Sequence, residues 1–534
     1  MYISERNQII SLGLIHEVYI SSSPRIKLTA DLLSKLQEAC DVRAVAALSV
    51  FSTEFTNIPE ALTDKDGKPY HNTKSDLLNI IADSSNVSQG DTVLTALKDT
   101  PIGLVVDLSM VLRSEASIVC PSEFTYRSFA EHVLRTIKKI ATRRKVNRID
   151  IVTDTYESSS IKAPTRQARG MEAEVIFHEN DRLQNNFAKG FLSNNENKIK
   201  LNSLIQKVGS DPLFWNNWTG EVVISHGTRV WSRHDGPKDI MRFIPEVHEE
   251  ADNRIVAHVL DVLSERWFEG SDIIIRTGDT DVVVILVSFY GILASKDQDL
   301  KVWVEFGTGK SKKCFAVHAI AQKLGIEVCG ALMFFHSFTG ADATCAFFNK
   351  SKAHWFKLWM EHPKKQDITE AFNQLSWTRQ KQDVTSALPV IEQFVCSSYG
   401  FPLLFSVNDT RLKIFSSSTA KNLRQLPPSR AALELHILRS AYQSGCVWGN
   451  TLTQEDPPNV KDWGWTVAEN GALSIQWTVE QSADVTMTLS QLVKTCKCKK
   501  SNSKCTKCGC GKLNLSCMKF CSCRRSCVGC DNMV

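Results

Sequence analysis

No run of about 18 uninterrupted apolar residues occurs anywhere in the chain. Its first twenty residues, MYISERNQIISLGLIHEVYI, break every apolar stretch with a charge or a polar side chain. Neither a membrane span nor a secretory leader is therefore expected, and the chain reads as an intracellular protein without a membrane partner. Asn217-Trp218-Thr219 matches the N-glycosylation tripeptide, but without a leader such a match carries no weight. Net charge is scarce too, +5 over 534 residues. Outside the C-terminal tail cysteines are sparse: Cys40, Cys120, Cys314, Cys329, Cys345, Cys396 and Cys446 stand singly, as reduced core residues do.

What is present is uneven. Residues 494–534 hold ten Lys or Arg against one Asp, so this tail carries +9 and the remainder −4, and ten of the 17 cysteines lie in it. The length allows two to four domains on a prior of about 100 to 200 residues each. Residues 1–95 give mixed signals, with an amphipathic helical pattern over 28–48 and a polar, turn-rich stretch over 63–90; their role is not legible.

From Pro101 the chain alternates strand and helix. Ile102-Gly103-Leu104-Val105-Val106-Asp107 reads as a strand ending in an acid. Phe129, Val133, Ile137 and Ile140 share one helical face, and residues 146–153 form the next strand, ending at Asp154. Residues 171–245, Asn-rich and Trp-containing, read as an insertion with short strands at 221–225 and 228–232. A helix over about 247–267, a strand at 302–306 and a helix closed by Gly325 resume the pattern. Beyond Lys365 helical segments and Trp-rich loops follow, and Trp448, Trp463, Trp465 and Trp477 read as packing. The fold class expected is α/β, a central sheet flanked by helices, with a helical C-terminal region and a small metal-cluster domain.

The segment at 273–287, IIIRTGDTDVVVILV, sets two carboxylates between apolar runs rich in β-branched residues. Such runs suit buried strands, and unpaired buried carboxylates cost several kcal/mol or more. If the backbone near Gly278 is extended, Asp279 and Asp281 face one way, and two like charges held together invite a divalent cation.

Acids at strand ends and helix starts number eight: Asp107, Asp154, Glu249, Glu250, Asp252, Asp279, Asp281 and Asp342. Singly, an Asp at a strand end is usually a turn residue or a helix cap. Jointly they would repel unless cations entered, and oxygen-only ligands select Mg²⁺ or Mn²⁺ over zinc. Two such ions about 3.5 to 4 Å apart suit phosphodiester hydrolysis.

Val106-Asp107-Leu108-Ser109-Met110, Val152-Thr153-Asp154, Glu250-Ala251-Asp252, Gly278-Asp279-Thr280-Asp281 and Thr339-Gly340-Ala341-Asp342 resemble the motifs of flap-endonuclease/XPG-type 5′-nucleases within the PIN-like superfamily. The resemblance implies a PIN-like nuclease domain over 96–362. It also implies a metal site of Asp107, Asp154, Glu250, Asp252, Asp279, Asp281 and Asp342. Glu249, at i, i+3 from Asp252, is a further ligand candidate. Lys162, Arg166 and Arg169 share a helical face by their i, i+4, i+7 spacing; a basic helix in this place steers the scissile phosphate in the resembling nucleases, and a solvated face is the alternative. Gly307-Thr308-Gly309-Lys310-Ser311-Lys312-Lys313 reads as a phosphate-holding loop or a hairpin turn. The chain departs from the family in the hundred or so residues before Asp107, and in Asn349-Lys350-Ser351-Lys352 where the family has a Gly-rich duplex-gripping hairpin. The segments 160–170, 248–252 and 338–348 also resemble uncharacterised, transposon-associated animal proteins that join such a domain to a cysteine-rich module.

That module is the tail. Cys496, Cys498, Cys505, Cys508, Cys510, Cys517, Cys521, Cys523, Cys527 and Cys530 stand at C-x-C, C-x2-C and longer spacings that suit tetrahedral zinc, and so short a segment with little apolar core needs metal to fold. Ten ligands fill two four-cysteine sites with two to spare, so two or three zinc ions are expected. The tail resembles the tesmin-type CXC domain, which implies DNA binding; it has one cysteine beyond the usual nine and lacks the usual Tyr contact residue. Lys497, Lys499, Lys500, Lys504, Lys507, Arg524 and Arg525 interleave the ligands and would contact phosphates.

The leading expectation is a nuclear, Mg²⁺-dependent, structure-specific nuclease of mobile-element descent, brought to DNA by its zinc tail, with RNA left open. Two alternatives stand: a DNA-binding or scaffold protein whose nuclease fold no longer cleaves, and a transposase of RNase H type.

Overall fold

β1 (Ile102–Asp107) consists of six buried residues, the composition of a strand covered on both faces. The protein is described by a computed structural model covering residues 35–36, 38–39, 42, 47–55, 58–64, 66–83, 101–154, 161, 173–227, 229–234, 236–239, 251–265, 270, 272–307, 312–417, 423–452, 455–469, 473–477, 493–497, 509–513 and 515–522. Helices α1 (Ala47–Phe51) and α2 (Ser75–Asp83) precede β1; α3 (Leu108–Ala116), α4 (Tyr126–Arg143), β2 (Arg148–Val152) and α5 (Asn195–Gly209) follow it. Next come β3 (Glu221–His226), β4 (Arg229–Ser232), β5 (Gly236–Asp239), α6 (Ala251–Ser264), β6 (Asp272–Thr277), α7 (Thr280–Ala294), β7 (Lys301–Phe306), β8 (Lys313–Ala316), α8 (Val317–Leu324) and α9 (Ile326–Phe338).

These strands form one eight-stranded sheet in the order β5-β4-β3-β2-β1-β6-β7-β8. The five central strands, β3 to β7 in that order, run parallel, and the outer ones are antiparallel. Alternate residues of a strand face opposite sides, and the core divides accordingly. Leu104, Val106, Ile149 and Ile151 pack with α4 and α5, whereas Val105, Ile273, Ile275 and Val302 pack with α6, α7 and α9. The result is a sheet between two helical layers.

Strand order decides where a site forms. The chain lays β2 and β3 on one side of β1, then returns to lay β6 and β7 on the other. Adjacent parallel strands whose connections depart in opposite directions leave a crevice beyond their carboxyl ends. β1 and β6 are that pair, in register with Val106 opposite Arg276, so Asp107 and Thr277 end side by side.

Two expectations are corrected, and part of the N-terminal region gains a place. The second apolar run, residues 282–287, is not a strand: it belongs to α7, with Val282, Val283, Val284, Ile285, Leu286 and Val287 wholly buried. A helix enclosed on all sides has no polar face to show a 3.6-residue period, and burial overrides the β-branched preference. Residues 171–245 do not simply interrupt the α/β pattern, since α5 crosses over to β3, which pairs in parallel with β2. Residues 58–83 belong to the α/β body: Leu77, Leu78 and Ile81 of α2 are buried in the core that holds α7 and α9.

Gly325, at φ +81°, separates α8 from α9, and β7 and β8 pair antiparallel, with residues 308–311 between them outside the described residues. Helices α10 (Lys352–Glu361), α11 (Lys365–Trp377), α12 (Lys381–Ser398), α13 (Val407–Ser416) and α14 (Arg430–Ala441) come next, before the small hairpin β9 (Trp465–Val467) and β10 (Leu473–Ile475). Trp355, Trp359, Trp448 and Trp463 are buried in the same core as β6 and α7, so this helical region buttresses the sheet. Among the described residues no single helix is long and apolar enough to cross a membrane; α8 and α9 reach that length only together, across a 105° bend.

Candidate metal centres

Three acids at strand ends each cap a helix. Asp107 caps α3, its Oδ1 accepting from Ser109 N at 2.9 Å. Asp279 caps α7, its Oδ1 accepting from Asp281 N at 3.0 Å. Asp154 Oδ1 accepts from Ala251 N at 2.9 Å, so it caps α6 from a distant part of the chain. The ordinary role of an Asp at a strand end and a place in a shared site thus coincide. Each of the three helix N-termini also offsets part of a carboxylate's charge, by about 0.3–1 kcal/mol.

Side-chain bonds tie these caps together. Ser109 Oγ donates to Asp154 Oδ2 at 3.0 Å, and Thr277 Oγ1 donates to Asp107 Oδ2 at 3.0 Å while accepting from Asp279 N at 3.1 Å. Asp107 is buried, and that burial, reinforced by Asp154 and Asp279, pushes its pKa up to about 7 against the opposing bond from Thr277.

Asp252, Asp279 and Asp281 bring carboxylate oxygens within 4.8 Å of one another, a grouping that could hold a metal ion. Asp252 lies in the first turn of α6, and Asp281 in the first turn of α7. Asp281 is fully buried; its Oδ1 faces His336 Nε2 at 3.0 Å and its Oδ2 accepts from Lys74 Nζ at 3.0 Å. Burial holds the His336 imidazole down at about 4. It is therefore neutral near pH 7, with Nε2–H donating to the carboxylate. Asp342 joins through the same lysine, its Oδ2 2.8 Å from Lys74 Nζ. The loop that brings it in turns at Gly340, whose φ of +107° a side chain rarely adopts.

Of the acids read from the sequence, Asp107, Asp154, Asp252, Asp279, Asp281 and Asp342 gather at the carboxyl ends of β1, β2 and β6. Glu249, Glu250, Lys162, Arg166 and Arg169 lie outside the described residues. Neither Lys74 nor His336 was legible from the sequence as a site residue. Lys74 sits in the turn-rich stretch with no evident role, and His336 lies on the largely apolar helix α9; in both cases the partner is far away in the chain.

The second centre is in the tail. Cys496, Cys510, Cys517 and Cys521 are buried, with their sulfurs within 4.8 Å of one another. Cys496 Sγ lies 3.8 Å from Cys517 Sγ, and Cys510 Sγ 3.7 Å from Cys521 Sγ. A tetrahedron with metal–sulfur arms of about 2.3 Å has edges of about 3.8 Å, so the four thiols stand where one tetrahedral ion would hold them. Among the described residues no cysteine is in a disulfide. Cys498, Cys505, Cys508, Cys523, Cys527 and Cys530 lie outside the described residues. The cluster packs against Leu36, Phe51, Phe55 and Phe415, and Lys519 N donates to Glu38 Oε1.

No protein-family model matches the chain, and no curated protein matches it. Fold and sites define a class: an α/β protein with a carboxylate group at the ends of its parallel strands and a four-thiol group in its tail.

Proposed function

We propose that this protein is a metal-dependent nuclease with a PIN-like, flap-endonuclease-type domain, acting on DNA and directed to it by a zinc-binding, CXC-type tail. The observation that carries the reading is the gathering of six acids, contributed by segments from Asp107 to Asp342, at the carboxyl ends of adjacent parallel strands. Their donors are all oxygen, which suits Mg²⁺ or Mn²⁺. Asp252, Asp279 and Asp281 would hold such an ion, with Asp107 and Asp154 beside them. When bound, the ion would supply an activated water and offset charge on the phosphodiester. The chain's own part is orientation: Ser109 and Thr277 fix both oxygens of Asp107, and His336 fixes Asp281. In the tail, four thiols at tetrahedral spacing suit zinc, and the lysines and arginines among its cysteines would bind backbone phosphates in a salt-sensitive way. On this reading the protein is nuclear and of mobile-element descent.

The test is cleavage of flap, nicked and single-stranded DNA, with single-stranded RNA alongside, in the presence of Mg²⁺ or Mn²⁺. Asp281→Asn serves as control, and wild-type activity no higher than this control would overturn the proposal. One observation favours the DNA-binding, non-cleaving reading: Lys74 already places a positive charge between Asp281 and Asp342. Mn²⁺ binding without cleavage would establish that alternative. A transposase of RNase H type gains no support, because β1 and β2 pair in parallel where it would begin with an antiparallel hairpin.

A further inference from the structure

Lys74 reaches the acid group from outside the α/β alternation. Its Nζ lies 2.8 Å from Asp342 Oδ2, 3.0 Å from Asp281 Oδ2 and 3.9 Å from Asp279 Oδ1. An ammonium bound by carboxylates on three sides fills the space a cation would take there, with one positive charge where a divalent ion would bring two.

The lysine is held firmly in place. Just before it, Asn72 Nδ2 donates to the carbonyls of Thr339 and Lys350, each at 2.9 Å, so the segment is bonded to both ends of the loop that carries Asp342. Tyr70 O accepts from Ala346 N of that loop at 2.7 Å. Just after it, α2 buries Leu77, Leu78 and Ile81. The lysine side chain is 20% exposed and that of Asp281 0%. Moving the ammonium out would leave a buried carboxylate without its cation, a loss far larger than that of an exposed ion pair.

The acid group is therefore divided. At one end Asp252, Asp279 and Asp281 offer oxygens within 4.8 Å; at the other Asp281 and Asp342 are already bridged. We propose that Lys74 is a built-in counter-cation that takes the place of a second divalent ion, so that the site binds one ion and not two. The inference rests on the acid group being a metal site, as in the proposed function, and departs from the two-ion arrangement expected from the sequence.

The test counts Mn²⁺ on the full-length, zinc-loaded protein by electron paramagnetic resonance. Acid-site ions are those lost in the Asp252→Asn/Asp281→Asn double variant. The expected result is one acid-site Mn²⁺ with an uncoupled spectrum in the wild type and in Lys74→Arg. Lys74→Met should bind two, with the broadened spectrum of ions about 3.5 to 4 Å apart. Lys74→Gln serves in its place if Lys74→Met does not fold. Two coupled ions in the wild type would overturn the inference and leave the metal-site reading intact, a result that needs no variant. One ion in both the wild type and the uncharged variants would also overturn it. No acid-site Mn²⁺ in any form would overturn both.

Discussion

His336 and Asp281, 55 residues apart, meet in the core at 3.0 Å, with the Trp448 ring stacked on the imidazole at 5.7 Å. The bond fixes which oxygen of Asp281 is left to face Lys74, so His336 is a positioning residue. Replacing it with Phe should weaken Mn²⁺ binding at the acid group about 10- to 100-fold, the usual effect of removing a group that orients a ligand. His336→Gln, which keeps a donor, should recover part of the loss. Titration calorimetry giving wild-type affinity for His336→Phe would remove that role.

Gly340→Ala should destabilise the protein by more than about 1 kcal/mol. At φ +107° a side chain is strained, and its Cβ would lie 2.9 Å from Ala346 Cβ. The same turn delivers Asp342, so Mn²⁺ affinity should fall with stability. A chemical denaturation midpoint unchanged from wild type would contradict the strain argument.

Stability should fall as pH drops below about 6.5, the pKa of a free histidine. Burial holds His436 at about 3, and His226 and His336 at about 4, in the folded protein. The unfolded chain thus takes up protons that the folded one refuses, and stability is lost at about 1.4 kcal/mol per pH unit per histidine until the folded values are reached. Without metal, Asp107 acts oppositely. Its folded pKa near 7 exceeds the unfolded value of about 3.9, so its contribution is full at low pH and is lost as pH rises through 7. Denaturation midpoints from pH 4 to 8 should therefore show a steeper acid loss in Asp107→Asn and a shallower one in His436→Gln, whose amide can still donate to Phe338 O. Parallel pH profiles would refute the assignment.

If the four thiols hold a metal, as proposed, stripping it should loosen a segment more than 400 residues away. The four thiols share a cluster with Leu36, Val50, Phe51 and Phe55, and unbound thiolates would repel. Hydrogen exchange after chelation should rise at residues 47–55 and stay unchanged in β1 and β2. Cys517→Ser should reproduce the pattern without a chelator. Unchanged exchange at 47–55 would separate the tail from that segment.

Much of this was legible in the sequence because the signals are local. A buried parallel strand is a short apolar run whatever surrounds it, so Ile102–Asp107 and Asp272–Thr277 could be read off with the acids at their ends. Cysteine spacing likewise announces a thiol group that could hold a metal, and Cys496, Cys510, Cys517 and Cys521 do come together. What the sequence could not decide depends on strands and helices meeting. The run at 282–287 has the composition of a strand and is a helix, because enclosure on every side removes the polar face that periodicity needs. Asp107 and Asp279 meet because β6 returns to lie beside β1. Lys74 and His336 enter the site by packing alone, with no motif in either segment, since an ion pair or a hydrogen bond depends on distance in space and leaves no pattern along the chain.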